Sequence, residues 1–181
     1  PGKVEENNIV YGRLYRCAER WQERPVIILL DGSPALGYHS AFPLLARRIN
    51  RAGFNATTLV APYHLQRRPR LLIEENCLEL AWEIGQGVAE IRALTGWLLD
   101  EGCPSVGLFG VSYGGWLAGL TVCSDSRIDG AVLTVPRVRM SFSHPVVWRR
   151  SREILQALRP AHEAMDTTRL NVTLSTPVIP K

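Results

Sequence analysis

Continuous apolar runs alternate with amphipathic stretches through the middle of this chain. Pro25-Val26-Ile27-Ile28-Leu29-Leu30 is bounded by Pro25 and by Asp31-Gly32. A run apolar on both faces predicts a central parallel strand covered by helices on each side. Ser40 stands where it can cap a helix from Ala41 to about Ala52, which Gly53 ends. Asn55 to Pro62 predicts the next strand. A long helix follows, from about Glu74 to Asp100. In it Cys77, Ala81, Ile84, Val88, Ile91 and Leu98 recur at three- and four-residue spacing, with Thr95 on the same line. Glu75, Glu79 and Glu83 lie on another face, where solvent is expected. Gly85 and Gly87 weaken this helix and allow either a kink or close packing. Gly102 with Pro104 ends it. A strand from Ser105 to Val111, a helix-compatible run after it, and a buried strand over Asp129–Pro136 complete the pattern. The order β-α-β-α-β-α-β demands right-handed crossovers and a parallel, doubly wound α/β sheet. Ahead of it, Ile9–Cys17 alternates roughly, as in an edge strand or hairpin arm, and Pro1–Asn8 reads as a loose polar lead-in.

Composition narrows the function classes. The 181 residues suit one domain with a sizeable core; 46% are hydrophobic and 21% charged, which marks a globular protein. The net charge of +4 comes from arginines scattered along the chain, too weak a signal to argue for nucleic acid. Cys17, Cys77, Cys103 and Cys123 are widely spaced with no C-x-x-C pair. Buried free thiols are expected rather than a disulfide framework or a zinc site. No run is long and apolar enough to span a membrane and no signal peptide opens the chain, so a reducing, cytoplasmic compartment is expected.

The chemistry sits in Gly110-Val111-Ser112-Tyr113-Gly114, between an apolar strand and a helical run. G-x-S-x-G in that context predicts a sharp strand-to-helix turn that exposes a serine hydroxyl. The turn leaves room only for very small neighbours two residues away on either side, and Gly110 and Gly114 meet that need. The N–H of Tyr113 would open the next helix and face developing negative charge. A glycine-rich turn with an incidental serine is the plainer alternative.

With these residues the chain resembles the α/β-hydrolase superfamily over about Val26 to Pro136, in the manner of a poorly characterised branch. Gly110–Gly115, the apolar strand before Asp31-Gly32-Ser33 and the element order carry the likeness. The resemblance implies a serine hydrolase of esters, thioesters or related acyl compounds, with no metal or organic cofactor. It also implies an oxyanion hole of two backbone donors. One is Tyr113, and the other belongs to the loop Asp31–Gly37, where Gly32 and Ser33 are both candidates. The family's His-Gly pair is replaced here by Asp31-Gly32.

A serine needs a base. The resemblance implies an acid and then a histidine after two further strands, and Lys181 falls about where the first of these should begin. An incomplete triad is therefore expected, with little turnover if the chain truly ends there. The sheet would also lack its last strands, and its open edge would favour homo-oligomers. Of the later histidines, His144 in Ser143-His144-Pro145 is placed to face a cleft, although a loop histidine bonded to backbone is the favoured reading, and His162 suits an exposed helix position. His39 lies near the oxyanion loop and can line the site. Arg67, Arg68 and Arg70 would clamp a carboxylate or phosphate on a small acyl substrate, or simply form a solvated loop. Residues 1–136 are assigned to the hydrolase core, and 137–181 to a cap-like helical segment and lead-in, where Met140, Phe142 and Trp148 would close an acyl pocket or equally pack a lid against the core without touching substrate. The rival reading is a non-catalytic α/β-hydrolase-like binding module.

Overall fold

The computed structural model describes residues 5–33, 35–67 and 77–136. The chain divides into one unit of Pro1–Ile73 with Glu83–Arg137, and another of Glu74–Trp82 with Val138–Lys181. The expected cap segment and the open chain end after it lie outside the described residues.

Five strands form one sheet: β1 (Gly12–Tyr15), β2 (Val26–Leu30), β3 (Asn55–Leu59), β4 (Val106–Val111) and β5 (Gly130–Thr134). Their spatial order is β1-β3-β2-β4-β5. β2 pairs in parallel with both β3 and β4, β4 pairs in parallel with β5, and β1 closes one edge antiparallel to β3. The helices are α1 (Ala41–Arg51), α2 (Cys77–Asp100) and α3 (Tyr113–Ser124). The predicted doubly wound α/β sheet is therefore the observed architecture, with an antiparallel strand added at the edge.

Alternation along β2 explains the two layers. Leu29 joins Phe42 and Ala46 of α1 on one face. Ile28 and Leu30 join Ile91 and Leu98 of α2 and Leu117 of α3 on the other. A strand buried on both faces has to be apolar throughout, which is why Val26–Leu30 carries no polar residue. On α2 the predicted stripe is the buried one: Ile91, Thr95 and Leu98 are fully covered. Gly87 serves close packing, since a Cβ there would stand 3.1 Å from both methyl carbons of Leu117, whereas Gly85 faces open space.

Several expectations change. Ser40 precedes α1, yet its hydroxyl makes no cap hydrogen bond and donates backwards to the Leu36 carbonyl at 2.6 Å. The lead-in is not all loose: Glu5–Asn8 forms a short 3-10 turn, and Asn7 is buried. β5 is mostly exposed rather than buried, because among the described residues it is the outermost strand, with β4 as its partner. Of the thiols, Cys103 is buried and free as expected, Cys17 is half-buried and Cys123 is exposed. Burial, and then the neighbouring Glu101 carboxylate, raises the Cys103 pKa. Among the described residues no helix is long and apolar enough to cross a membrane.

Candidate active site

Register decides which loops meet. Leu30 lies beside Leu59 on one side and Gly110 on the other, and Val111 lies beside Thr134. The segments that follow β2, β3, β4 and β5 therefore leave the sheet at one edge, where parallel sheets place their ligands. All four described non-glycine residues with positive φ follow these strands: Tyr63 at 59°, Leu65 at 48°, Ser112 at 51° and Val135 at 42°. Backbone strain of this kind persists only where the surroundings enforce it, and it clusters at working sites.

Ser112 stands between β4 and α3 with φ 51° and ψ −111°. Its N–H donates to the Thr134 carbonyl at 2.9 Å, and its own carbonyl accepts from the Trp116 N–H at 3.0 Å. These bonds fix the turn from the β5 side and from the first turn of α3. The glycines are required by space. A Cβ on Gly110 would lie 2.6 Å from the Gly114 carbonyl carbon and 2.7 Å from the Gly115 Cα. A Cβ on Gly114 would lie 2.5 Å from the Asp31 carbonyl oxygen and closer still to Leu30. Ser112 itself is half-buried.

The loop after β2 faces this serine. A Cβ on Gly32 would stand 3.3 Å from the Ser112 Cβ and 4.0 Å from its Oγ. Asp31 shapes that loop from inside. One carboxylate oxygen accepts from the Gly32 N–H at 2.8 Å and the other from the Tyr38 N–H at 2.7 Å. Gly37 completes the cradle, as a Cβ there would crowd both oxygens at 2.9 and 3.1 Å. Ser33 and His39 are exposed in the same loop, and the His39 ring meets the Tyr38 ring edge-on at 5.0 Å.

Tyr113 turns its side chain inward. Its ring stacks on His64 at 5.2 Å and meets Trp116 edge-on at 6.4 Å. Burial raises the phenol pKa, and the Glu83 and Glu90 carboxylates raise it further. Glu83 was expected in solvent; its side chain is only 16% exposed and lies 4.0 Å from His64 Nδ1. Glu75 and Glu79 lie outside what is described of side chains.

Arg67 is neither a solvated residue nor a substrate clamp. It is fully buried, and its guanidinium forks onto both Glu90 oxygens at 2.7 and 2.6 Å. The same two nitrogens donate to the carbonyls of Val60 at 2.8 Å and Asn7 at 2.7 Å. Charge pattern alone could not show this, because Glu90 and Asn7 are far off in sequence. Arg68, Arg70, His144 and His162 lie outside the described residues. Asp125 and Asp129 stay away from the serine, as the parallel sheet requires: Asp129 pairs with Val106, at the opposite end of β4. No cluster of three or more His, Cys, Asp or Glu side chains fit to hold a metal ion occurs among the described residues. The sequence reading overlooked Asp31, although an aspartate directly before a turn glycine is a common local acceptor for backbone N–H groups.

Solved structures share this architecture. A monoacylglycerol lipase from Paleococcus ferrophilus superposes with a TM-score of 0.56 at 21% identity, over 84% of this chain and 52% of that one. The α/β hydrolase GrgF from Penicillium sp. sh18 gives 0.61 at 14% identity, over 86% and 50%. Est1E from Butyrivibrio proteoclasticus, solved with ferulic acid bound, gives 0.57 at 12% identity, over 70% and 49%. The chain thus spans about half the length of these proteins, and at such identities they share its fold. The family described as alpha/beta hydrolase domain containing 18 matches residues 5–145. A match over that much of the chain, with the elbow inside it, makes this protein a member of that α/β-hydrolase family.

Proposed function

We propose that the protein is a serine hydrolase of an ester, thioester or related acyl substrate, with Ser112 as the nucleophile. The observation that carries this is the φ of 51° at Ser112, inside a turn that only Gly110 and Gly114 permit. A non-catalytic loop has no need of a serine held in that strained conformation.

In this reading Ser112 Oγ attacks the acyl carbon while a histidine outside the described residues takes its proton. The carbonyl π pair moves to oxygen, and the resulting oxyanion is met by the Tyr113 N–H. The second donor is assigned to Ser33 rather than Gly32, because the Gly32 N–H already donates to Asp31. Collapse of the intermediate expels the alcohol or thiol, which receives the proton from the histidine. Water then repeats the sequence on the acyl-enzyme, and the acid leaves. His39, exposed beside the oxyanion loop, is proposed to line the substrate's approach.

The test is labelling of the full-length protein with a fluorophosphonate, alongside Ser112→Ala. The probe is expected on Ser112 in the wild type and absent from the variant. Equal labelling would put the reactive group elsewhere, and no labelling of a folded wild type would favour a non-catalytic binding module; either outcome overturns the proposal.

A further inference from the structure

The loop after β3 plays no part in the mechanism above, yet its backbone is strained on both sides of a single residue. Tyr63 and Leu65 have φ of 59° and 48°, and His64 lies between them. The loop is fastened at several points. The Tyr63 N–H donates to Asn7 Oδ1 at 2.8 Å, the His64 N–H to the Ala61 carbonyl at 3.2 Å, and the Arg67 N–H to the His64 carbonyl at 2.9 Å. Beneath it sits the buried Arg67 guanidinium. Strain on two flanking residues, enforced by that many bonds, delivers one side chain to one place.

That place is the elbow. The His64 side chain is 11% exposed, and its Nδ1 lies 2.8 Å from the Pro62 carbonyl. A carbonyl only accepts, so Nδ1 is the donor in this contact. Nε2 is buried and makes no hydrogen bond among the described residues. The imidazole lays its face on the Tyr113 ring, 25° from parallel at 5.2 Å.

We propose that His64 is a positioning residue for the oxyanion donor of Tyr113. The proposal rests on the serine-hydrolase reading. The N–H concerned lies in the peptide between Ser112 and Tyr113, so its direction depends on ψ of Ser112 and φ of Tyr113. The first is held by the elbow. The second is held because the Tyr113 ring is confined between the face of His64 and the edge-on contact with Trp116. A ring that cannot swing fixes its own Cα–Cβ direction, and with it the peptide plane that must meet the oxyanion. Small misplacements of such donors cost rate rather than binding.

The test uses the full-length protein, with hydrolysis of p-nitrophenyl acetate as probe and Ser112→Ala as control. His64→Asn keeps an amide donor for the Pro62 carbonyl but has no aromatic ring. His64→Phe keeps the ring and loses the donor. His64→Asn is expected to lower kcat about 10- to 100-fold with KM within about twofold, while His64→Phe stays within about threefold of wild type. Rescue by phenylalanine is the outcome that neither a proton-transfer role nor loop anchoring predicts. A kcat loss in folded His64→Phe as large as in His64→Asn overturns the proposal, and so does full activity in His64→Asn. If His64→Asn misfolds, His64→Leu, which also lacks an aromatic ring, takes its place in the comparison with His64→Phe. If the wild type shows no Ser112-dependent turnover, the hydrolase reading fails and the positioning role falls with it. Ser112-dependent turnover that ignores His64→Asn sinks the positioning role alone.

Discussion

Gly114 in the serine turn and Gly32 in the loop that faces it make different predictions. Gly114→Ala puts a methyl group against the Leu30 and Asp31 backbone, with the Asp31 oxygen 2.5 Å away. Backbone of two central elements cannot move aside, so a loss of about 3 kcal/mol or more is expected in urea denaturation. Gly32→Ala meets the Ser112 Cβ at 3.3 Å and the Val111 carbonyl oxygen at 3.5 Å. Adding a methyl group there costs about 1–3 kcal/mol. That methyl group would stand 4.0 Å from Ser112 Oγ, on the path the proposed mechanism gives the acyl group, so Ser112 phosphonylation is expected to slow at least about tenfold. A Gly32→Ala protein that labels at the wild-type rate would show that substrate does not enter past this loop. The elbow was legible in the sequence because its requirement is local: small residues at fixed offsets from a serine after an apolar run. Asp31, Glu83 and Asn7 were not legible. The partners of Glu83 and Asn7 come from elsewhere in the chain, and polarity alone says nothing about which side chain will be enclosed. Asp31 accepts from the nearby Gly32 and Tyr38, yet its position before a turn glycine does not say that it reaches Tyr38.

At the scale of elements, strands and helices followed from their periodicity, while their surroundings did not. The Gly130–Thr134 run is as apolar as a buried strand, yet it is exposed, because composition cannot say whether a neighbour is present. The joint between α3 and this strand depends on one acid. Asp125 is buried, and its carboxylate accepts from Arg127 at 2.9 and 2.6 Å and from Arg92 at 3.4 Å. The hydrogen bonds from Arg127 hold its pKa well below the usual carboxylate range, against the opposing effect of burial. The folded state therefore binds this proton less readily than the unfolded chain does. Stability from Asp125 is present above the unfolded value near 4 and is lost as pH falls toward the folded value. Asp125→Asn is thus expected to melt at a lower temperature than wild type at pH 7, with the gap closing from about pH 4 downward. Thermal melts at pH 7, 5 and 3 check this, and a gap of constant size would mean that packing, not charge, is what the substitution removes. Both arginines are about half exposed, so added salt should narrow the gap at pH 7 as well.

At the scale of the molecule, Arg67 joins segments that no local rule connects. Its guanidinium reaches the carbonyl of Asn7 ahead of β1, the carbonyl of Val60 after β3, and Glu90 in α2. Gln86 adds donors to Asn7 and Glu90, each at 2.8 Å. This network carries the loop that holds His64, so the candidate site inherits its rigidity from a charge placed wholly inside the protein. A buried pair of this kind has an asymmetric energetic signature. Arg67→Met leaves Glu90 charged and largely buried, and a loss of about 3–5 kcal/mol is expected. Glu90→Leu strands the guanidinium, with a loss of similar size. The double variant removes both charges and should be clearly more stable than the sum of the single losses predicts. It should not regain wild-type stability, because the Val60 carbonyl loses its Arg67 donor and the Asn7 carbonyl keeps only Gln86 of its two. Urea denaturation of the four proteins gives the coupling directly. Strictly additive losses would mean that the pair contributes no mutual compensation. A solvated or ligand-binding arginine predicts almost no loss on Arg67→Met, so the same series separates a residue that holds the fold from one that holds a substrate.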